Sequence, residues 1–215
     1  MPTNFEVPLY LDYLAVFTWA LSGAILGVSK GYDLTGVFVV ALLSSVGGSM
    51  LRDGIFLNQP PPVVTNPYYL PLILLVTVLV GLFSRLLVTP RLRRHTNNLV
   101  DVIDAIGTPA FAVVGMQLSL AAGIPLPGVV LIGAVSGVGG GVLRDLLVGD
   151  VPALVQPGHH FALLLVFICV LFLTLTLSLG MSNTLAAWLA VGIFFVARAL
   201  TVRMDWRSQP LLPPT

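Results

Sequence analysis

Charged residues are scarce in this chain. Only 9% of its 215 residues are charged, whereas 57% are hydrophobic, and the mean hydropathy is +1.00. About a quarter of the residues in an ordinary soluble domain are charged. The composition therefore excludes a typical soluble domain and predicts an integral membrane protein whose surroundings are membrane lipids.

The chain also lacks an excess of either charge. Ten Lys and Arg residues face nine Asp and Glu residues, which leaves a formal net charge of +1. A nucleic-acid partner or a polybasic membrane anchor requires a concentration of basic residues. Neither is expected for this chain.

Residues typical of catalytic and metal sites are few. Cys169 is the only cysteine, which excludes an intramolecular disulfide and a cysteine-based metal cluster. His159 and His160 have no carboxylate or cysteine nearby at ligand spacing. There is no nucleophile–base pair, phosphate-binding loop or zinc motif, so we expect neither an enzyme nor a bound cofactor.

Long apolar stretches are what the chain does contain. A helix needs about 20 mostly apolar residues to cross the hydrocarbon core. Turn residues divide the two longest uncharged runs, at Gly123–Gly128 and at Gly180–Asn183. The sequence predicts an all-α membrane protein with seven transmembrane helices, at Tyr10–Val28, Leu34–Arg52, Tyr68–Val88, Leu99–Ala121, Gly128–Val148, Phe161–Gly180 and Leu185–Thr201.

The basic residues are distributed unevenly between the two sides of these spans. Nine of the ten fall on one side, including the Arg91–Arg94 loop, and Arg52 alone falls on the other. The positive-inside rule then predicts an amino terminus outside and a carboxyl terminus in the cytoplasm.

The chain repeats itself at an offset of 92 residues. The densest match superimposes Val46-Gly-Gly-Ser-Met-Leu-Arg-Asp53 on Val138-Gly-Gly-Gly-Val-Leu-Arg-Asp145. With three crossings in each unit, the second unit must enter the membrane from the opposite side, as in many transporters. We expect a first unit at residues 1–92, an inverted unit at 93–182, and a seventh helix with a short tail at 183–215.

The repeated glycine blocks are the strongest functional signal. Successive glycines weaken a helix, so Gly47-Gly48 and Gly139-Gly140-Gly141 predict local unwinding beside a polar path. Carbonyls and hydroxyls freed there suit a monovalent cation. The predicted path residues are Ser44, Ser45, Gly47, Gly48, Ser49, Ser136, Gly139, Gly140 and Gly141. The alternative is that these glycines only let helices pack closely.

Each glycine block ends in an Arg-Asp pair. Adjacent helical residues point about 100° apart, so we expect Arg52 and Arg144 to find partners on other helices, and Asp53 and Asp145 to lie with them at the two pore mouths. Interfacial snorkelling of both arginines is the alternative. Asp12 and Asp104 are interpreted as caps of the first and fourth spans, and Trp19, Trp206, Tyr68 and Tyr69 as interfacial aromatics.

The two Gly-Gly and Arg-Asp blocks, together with Lys30-Gly-Tyr-Asp-Leu-Thr-Gly36, resemble the prokaryotic trimeric intracellular cation (TRIC) channels. Members of that family are also known as bacterial glycine transporters or uncharacterised inner-membrane proteins. The resemblance implies a homotrimer with a pore in every subunit, kinked second and fifth helices, and conduction of K⁺ and, less selectively, Na⁺. Ser49 departs from the pattern, since it replaces the third glycine of the first block.

The expected function is a passive K⁺-permeable channel in the inner membrane. The alternative is a carrier for glycine or another small zwitterion, because inverted repeats with broken helices also serve alternating access. A noncatalytic membrane scaffold is a third reading, which would leave the paired blocks without a purpose.

Overall fold

The computed structural model describes residues 9–84, 96–156, 161–204 and 206. In these ranges the chain is helical, with connecting turns and no strand. The membrane helices are labelled α1 (Leu9–Ser29), α2 (Leu34–Leu51), α3 (Tyr69–Leu82), α4 (Thr96–Ala121), α5 (Leu126–Leu147), α6 (Phe161–Leu173) and α7 (Asn183–Arg203). A π-helical turn extends α2 over Arg52–Leu57, another extends α6 over Thr174–Ser178, and Pro62–Thr65 form a single helical turn.

The predicted all-α membrane architecture is confirmed. Six of the described helical segments are long and apolar enough to cross a membrane, and α3 is a shorter apolar helix. The third span was predicted to reach Val88; its last four residues lie outside the described ranges.

Glycines with positive φ end the helices where the sequence predicts breaks. Gly31 (φ +81°) and Gly123 (φ +74°), which are equivalent in the repeat, follow α1 and α4. Gly180 (φ +63°) separates α6 from α7. Glycine adopts this backbone region without the clash that a β-carbon introduces.

Two central helices organise the bundle. In the most apolar windows of α1 and α4, 72% and 78% of the residues are buried, compared with 33% in α6 and α7. α2 packs on α1 and α5 on α4, and α2 and α5 contact each other between them. α3 packs on α1 and α2, while α7 packs on α4 and α6. The outer helices therefore leave large apolar side chains exposed, as on Leu75, Phe167 and Val196, and these suit a lipid environment.

The contacts of α2 with α5 show that the repeat is inverted. Gly48 lies against Ser136, and Gly140 lies against Ser44. Residue numbers that rise on one helix while they fall on the other define an antiparallel pair. α2 and α5 occupy equivalent positions in the two units, so the units run in opposite directions, as predicted.

The predicted unwinding at the glycine blocks is wrong. α2 is an unbroken α-helix through Gly47-Gly48, and α5 through Gly139-Gly140-Gly141. Both blocks are buried, with Gly141 against Trp19 on α1 and the other glycines against the opposite helix. Close packing therefore offsets the low intrinsic helix propensity of glycine. The departures from α-helical geometry in this part of the chain lie further on, in the turn Arg52–Leu57.

Candidate ion pathway between the two repeats

The crossing of α2 and α5 is built from main-chain atoms. A β-carbon on Gly140 would clash with the Ser44 carbonyl oxygen, and one on Gly48 would clash with the Ser136 carbonyl oxygen. In both cases the two atoms would lie well under 3.0 Å apart. Gly47 and Gly139 pack beside them, with Leu143 Cδ1 2.7 Å from a β-carbon built on Gly47 and Leu51 Cδ1 3.0 Å from one built on Gly139. The helices thus touch backbone to backbone in this conformation, as small residues permit in membranes.

The four serines of the predicted path are buried at this crossing. The hydroxyls of Ser45 and Ser49 donate to carbonyls of their own helix, those of Leu42 (3.0 Å) and Val46 (2.8 Å). The hydroxyls of Ser44 and Ser136, which are equivalent in the repeat, have no hydrogen-bond partner among the described residues. Two equivalent unsatisfied hydroxyls, one from each repeat, therefore lie at this crossing.

A buried charged group lies beyond the crossing, at the carboxyl-terminal end of α5. We call it the Arg144 cluster (Trp19, Ser22, Asp104, Arg144 and Asp145). Arg144 Nη1 is 2.9 Å from Asp104 Oδ2 on α4, and Arg144 Nη2 is 2.8 Å from Asp145 Oδ1. Ser22 on α1 donates to Asp104 Oδ1 (2.6 Å) and is also in contact with Arg144. The guanidinium lies 5.4 Å from the centre of the Trp19 ring, within cation–π range.

The opposite end carries the Arg52 cluster (Asp12, Arg52, Asp53, Gln59 and Tyr69). Arg52 binds Asp53 through two hydrogen bonds, from Nε to Oδ1 and from Nη2 to Oδ2, both 2.7 Å long. Gln59 donates a third to Asp53 Oδ1 (3.0 Å). Asp12 accepts a hydrogen bond from the Tyr69 hydroxyl, and the charges of Arg52 and Asp53 act on it.

The expectation that neither arginine would pair with the aspartate next to it is wrong. Arg52 pairs with Asp53, and Arg144 pairs with Asp145. The 100° rule describes where β-carbons point, but an arginine side chain is long enough to fold back along the helix. The expected partner on another helix does exist for Arg144, which binds Asp104.

The interpretation of Asp104 as a helix cap is also wrong. Asp104 lies well inside α4, which begins at Thr96, and its carboxylate serves Arg144 and Ser22. Asp12 lies in the first turn of α1, but its carboxylate accepts from Tyr69 on α3. A carboxylate within a membrane span usually has a charged or polar partner. This rule could have indicated from the sequence that Asp104 has a partner such as Arg144.

Two supposed interfacial aromatics belong to the clusters instead. Trp19 and Tyr69 are each 2% exposed, whereas Tyr68 is 69% and Trp206 64% exposed. The sequence contains a partial signal for Trp19, since this residue lies near the middle of the predicted span Tyr10–Val28 and not at its end. Ser22 and Gln59, in contrast, carried no signal that distinguished them from other polar residues.

The two clusters lie at opposite ends of the crossing because α2 and α5 are antiparallel. Each arginine follows its glycine, Gly48 or Gly140, by four residues, about 6 Å along the helix axis. Fold and site together define a multi-pass helical membrane protein in which two inverted units place matched buried ion clusters on either side of a glycine contact.

Comparison with known proteins assigns the chain to a family. The model of a family described as glycine transporter matches the chain twice, at residues 9–85 and 101–177. The chain belongs to this family. The two matches fall on the two inverted units, one on each.

Related sequences and solved structures agree. A UPF0126 membrane protein of Deinococcus radiodurans is 38% identical over 66% of this chain, and the chain spans 64% of its length, slightly under two thirds. A structure solved to explain conductance through TRIC cation channels matches 98% of this chain and 100% of its own, with 26% identity and a TM-score of 0.81. The TRIC orthologue from Rhodobacter sphaeroides matches 91% and 97% of the two chains, with 25% identity and a TM-score of 0.81. The resemblance to prokaryotic TRIC channels is confirmed.

Proposed function

We propose that the chain is a passive K⁺-permeable channel of the inner membrane, assembled as a homotrimer with one pore in each protomer. The observation that carries the proposal is the shared fold, over 98% of the chain, with a protein described as a TRIC cation channel. The amino terminus lies outside and the carboxyl terminus in the cytoplasm, which places the Arg52 cluster at the outer mouth and the Arg144 cluster at the inner mouth. Units 1–92 and 93–182 form the two halves of the pore, and 183–215 lies outside them.

The pathway that we propose runs along α2 and α5 between the clusters. Carboxylates at both mouths, Asp12 with Asp53 and Asp104 with Asp145, attract a cation. Carbonyls and hydroxyls of Ser44, Ser45, Ser49 and Ser136 then replace part of its water shell. The glycine contact is the constriction, and in the conformation described it is closed by backbone atoms. Conduction therefore requires α2 and α5 to separate. The arginines at both mouths weaken discrimination between K⁺ and Na⁺.

Single-channel recording of the purified protein in planar bilayers with asymmetric KCl tests this function. We expect discrete unitary currents and a reversal potential displaced towards the K⁺ equilibrium potential. A bilayer without currents, together with saturable glycine uptake into liposomes, would instead establish a carrier, the function that the description of the family suggests.

Cysteine accessibility tests the route. In a Cys169→Ala background, Ser49→Cys places a thiol between the crossing and the outer mouth. A permeant cationic methanethiosulfonate reagent should reduce the current of this variant and leave the Cys169→Ala background unaffected. Currents that persist after complete modification of the thiol would show that the pore does not run along α2.

A further inference from the structure

We propose that the Arg52 cluster binds one monovalent alkali cation at the carboxylate of Asp12. The inference rests on the proposed channel function for the choice of K⁺ as the cation. The site itself follows from the net charge of the cluster and from one carboxylate oxygen that has no partner among the described residues.

The Arg52 cluster contains an uncompensated buried charge. Arg52 and Asp53 are fully buried, and Asp12 is 5% exposed. Because Arg52 and Asp53 form a two-bond ion pair, this pair is neutral as a unit. Asp12 remains as a second buried carboxylate in a cluster with a single arginine, and an isolated buried carboxylate is strongly destabilising.

In the equivalent cluster of the second repeat, both carboxylates contact the arginine. Arg144 on α5 binds both of them, Asp104 on α4 through Nη1 and Asp145 through Nη2. In the Arg52 cluster, by contrast, Arg52 binds Asp53 alone among the described residues and forms no hydrogen bond to Asp12, the residue equivalent to Asp104.

One oxygen of Asp12 is directly available for a ligand. Oδ2 accepts from the Tyr69 hydroxyl, whereas Oδ1 has no partner among the described residues. Carboxylate and phenol oxygens are hard ligands of the kind that suit alkali cations. Arg52 Nη1 also lacks a partner in that part of the chain, and it can donate a hydrogen bond to a water molecule of the cation's hydration shell. A cation of charge +1 brings the cluster to neutrality, while a divalent ion would overshoot it.

Thermal unfolding in detergent tests the site without any need for conduction. The unfolding midpoint is measured at a fixed scan rate in KCl and in choline chloride of equal ionic strength. At K⁺ tenfold above its dissociation constant, wild-type protein should gain about 4 °C over the choline sample. Asp12→Asn should abolish this gain. Its midpoint in choline should equal or exceed that of the wild type, because the variant no longer buries an uncompensated charge.

Asp150→Asn is the matched control, since Asp150 is half-exposed and pairs with Lys30 at the surface; it should retain the K⁺ gain. Persistence of the gain in Asp12→Asn would overturn the proposal. So would a marked loss of stability of this variant in choline, which would mean that Asp12 pairs with Arg52 itself. If acid raises the wild-type midpoint and KCl adds nothing, a proton neutralises Asp12 and the alkali site is refuted. Unitary currents without a K⁺ gain would refute the site alone, whereas a K⁺ gain without currents would refute only the channel.

Discussion

The carbonyl oxygen of Ser44 lies against the α-carbon of Gly140, and the repeat reproduces this relationship between Ser136 and Gly48. Such contacts permit Cα–H···O hydrogen bonds between helices, each contributing roughly 0.5–1 kcal/mol. They also explain why the blocks contain glycine, since any β-carbon would clash with backbone that cannot rotate away. In the channel that we propose, the same two contacts that join the units must separate when ions pass.

Gly140→Ala should therefore destabilise the protein. The added methyl group meets a main-chain oxygen, so the helices have to shift, at a cost of about 1–3 kcal/mol. We expect the thermal midpoint in detergent to fall by about 2–10 °C.

Gly192→Ala is the control for this prediction. Gly192 also lies inside a membrane helix, α7, but a β-carbon there meets nothing within 4 Å. Its replacement by alanine should leave stability unchanged or raise it by up to about 1 kcal/mol. Equal effects of the two substitutions would show that helix propensity, rather than the crossing, governs the glycine blocks.

The glycine blocks show how far sequence reasoning reaches. Their repetition correctly predicted the inversion of the two units. Whether Gly48 unwinds its helix or packs it closely depends on what lies opposite, here the Ser136 carbonyl, and local sequence does not contain that information.

The buried and the exposed ion pairs should differ sharply in their contributions to stability. The side chains of Arg144 and Asp104 are 4% and 11% exposed, whereas those of Lys30 and Asp150 are 32% and 45% exposed. Asp104→Asn leaves Arg144 with one buried carboxylate fewer and should cost about 3 kcal/mol. Asp150→Asn should cost less than about 1 kcal/mol. Chemical or thermal unfolding of both variants measures the difference, and comparable losses would contradict the assignment of Asp104 as the partner of Arg144.

Tyr69 and Tyr68 provide a second matched pair. Tyr69→Phe removes the donor to Asp12 and leaves a buried carboxylate oxygen unsatisfied, which should cost about 1–3 kcal/mol. Tyr68→Phe, at an exposed position, should stay within about 0.5 kcal/mol of the wild type. Thermal midpoints of the two variants decide between the cluster role and the interfacial role of Tyr69; a neutral Tyr69→Phe variant would favour the latter.

The clusters could be predicted only in part. Arg-Asp pairs deep in membrane spans indicate buried charge, and Arg144 was expected to find a partner on another helix. The identity of that partner as Asp104 depends on how α4 and α5 rotate about their axes. Arg52, in contrast, is hydrogen-bonded to the adjacent Asp53.

One contact between α1 and α5 joins residues whose sizes differ from those at the equivalent positions of the repeat. Trp19 on α1 packs against Gly141 on α5, where a β-carbon would lie 2.7 Å from Trp19 Cη2 and 2.9 Å from Cζ3. At the equivalent positions the chain has Phe111 and Ser49, a smaller ring and a larger partner. Gly141→Ser alone should therefore overpack this contact and cost about 1–3 kcal/mol.

Trp19→Phe alone should leave a cavity beside Arg144 and weaken the cation–π contact, again at a loss of about 1–3 kcal/mol. The double variant recreates the residue types found at the equivalent positions, Phe111 and Ser49. Since the phenyl ring lacks the atoms that obstruct position 141, the double variant should be more stable than the sum of the two single losses predicts, by about 1 kcal/mol or more. A double-mutant cycle on thermal or denaturant midpoints measures this coupling. Strict additivity would mean that Ser49 replaced the third glycine for a reason other than packing.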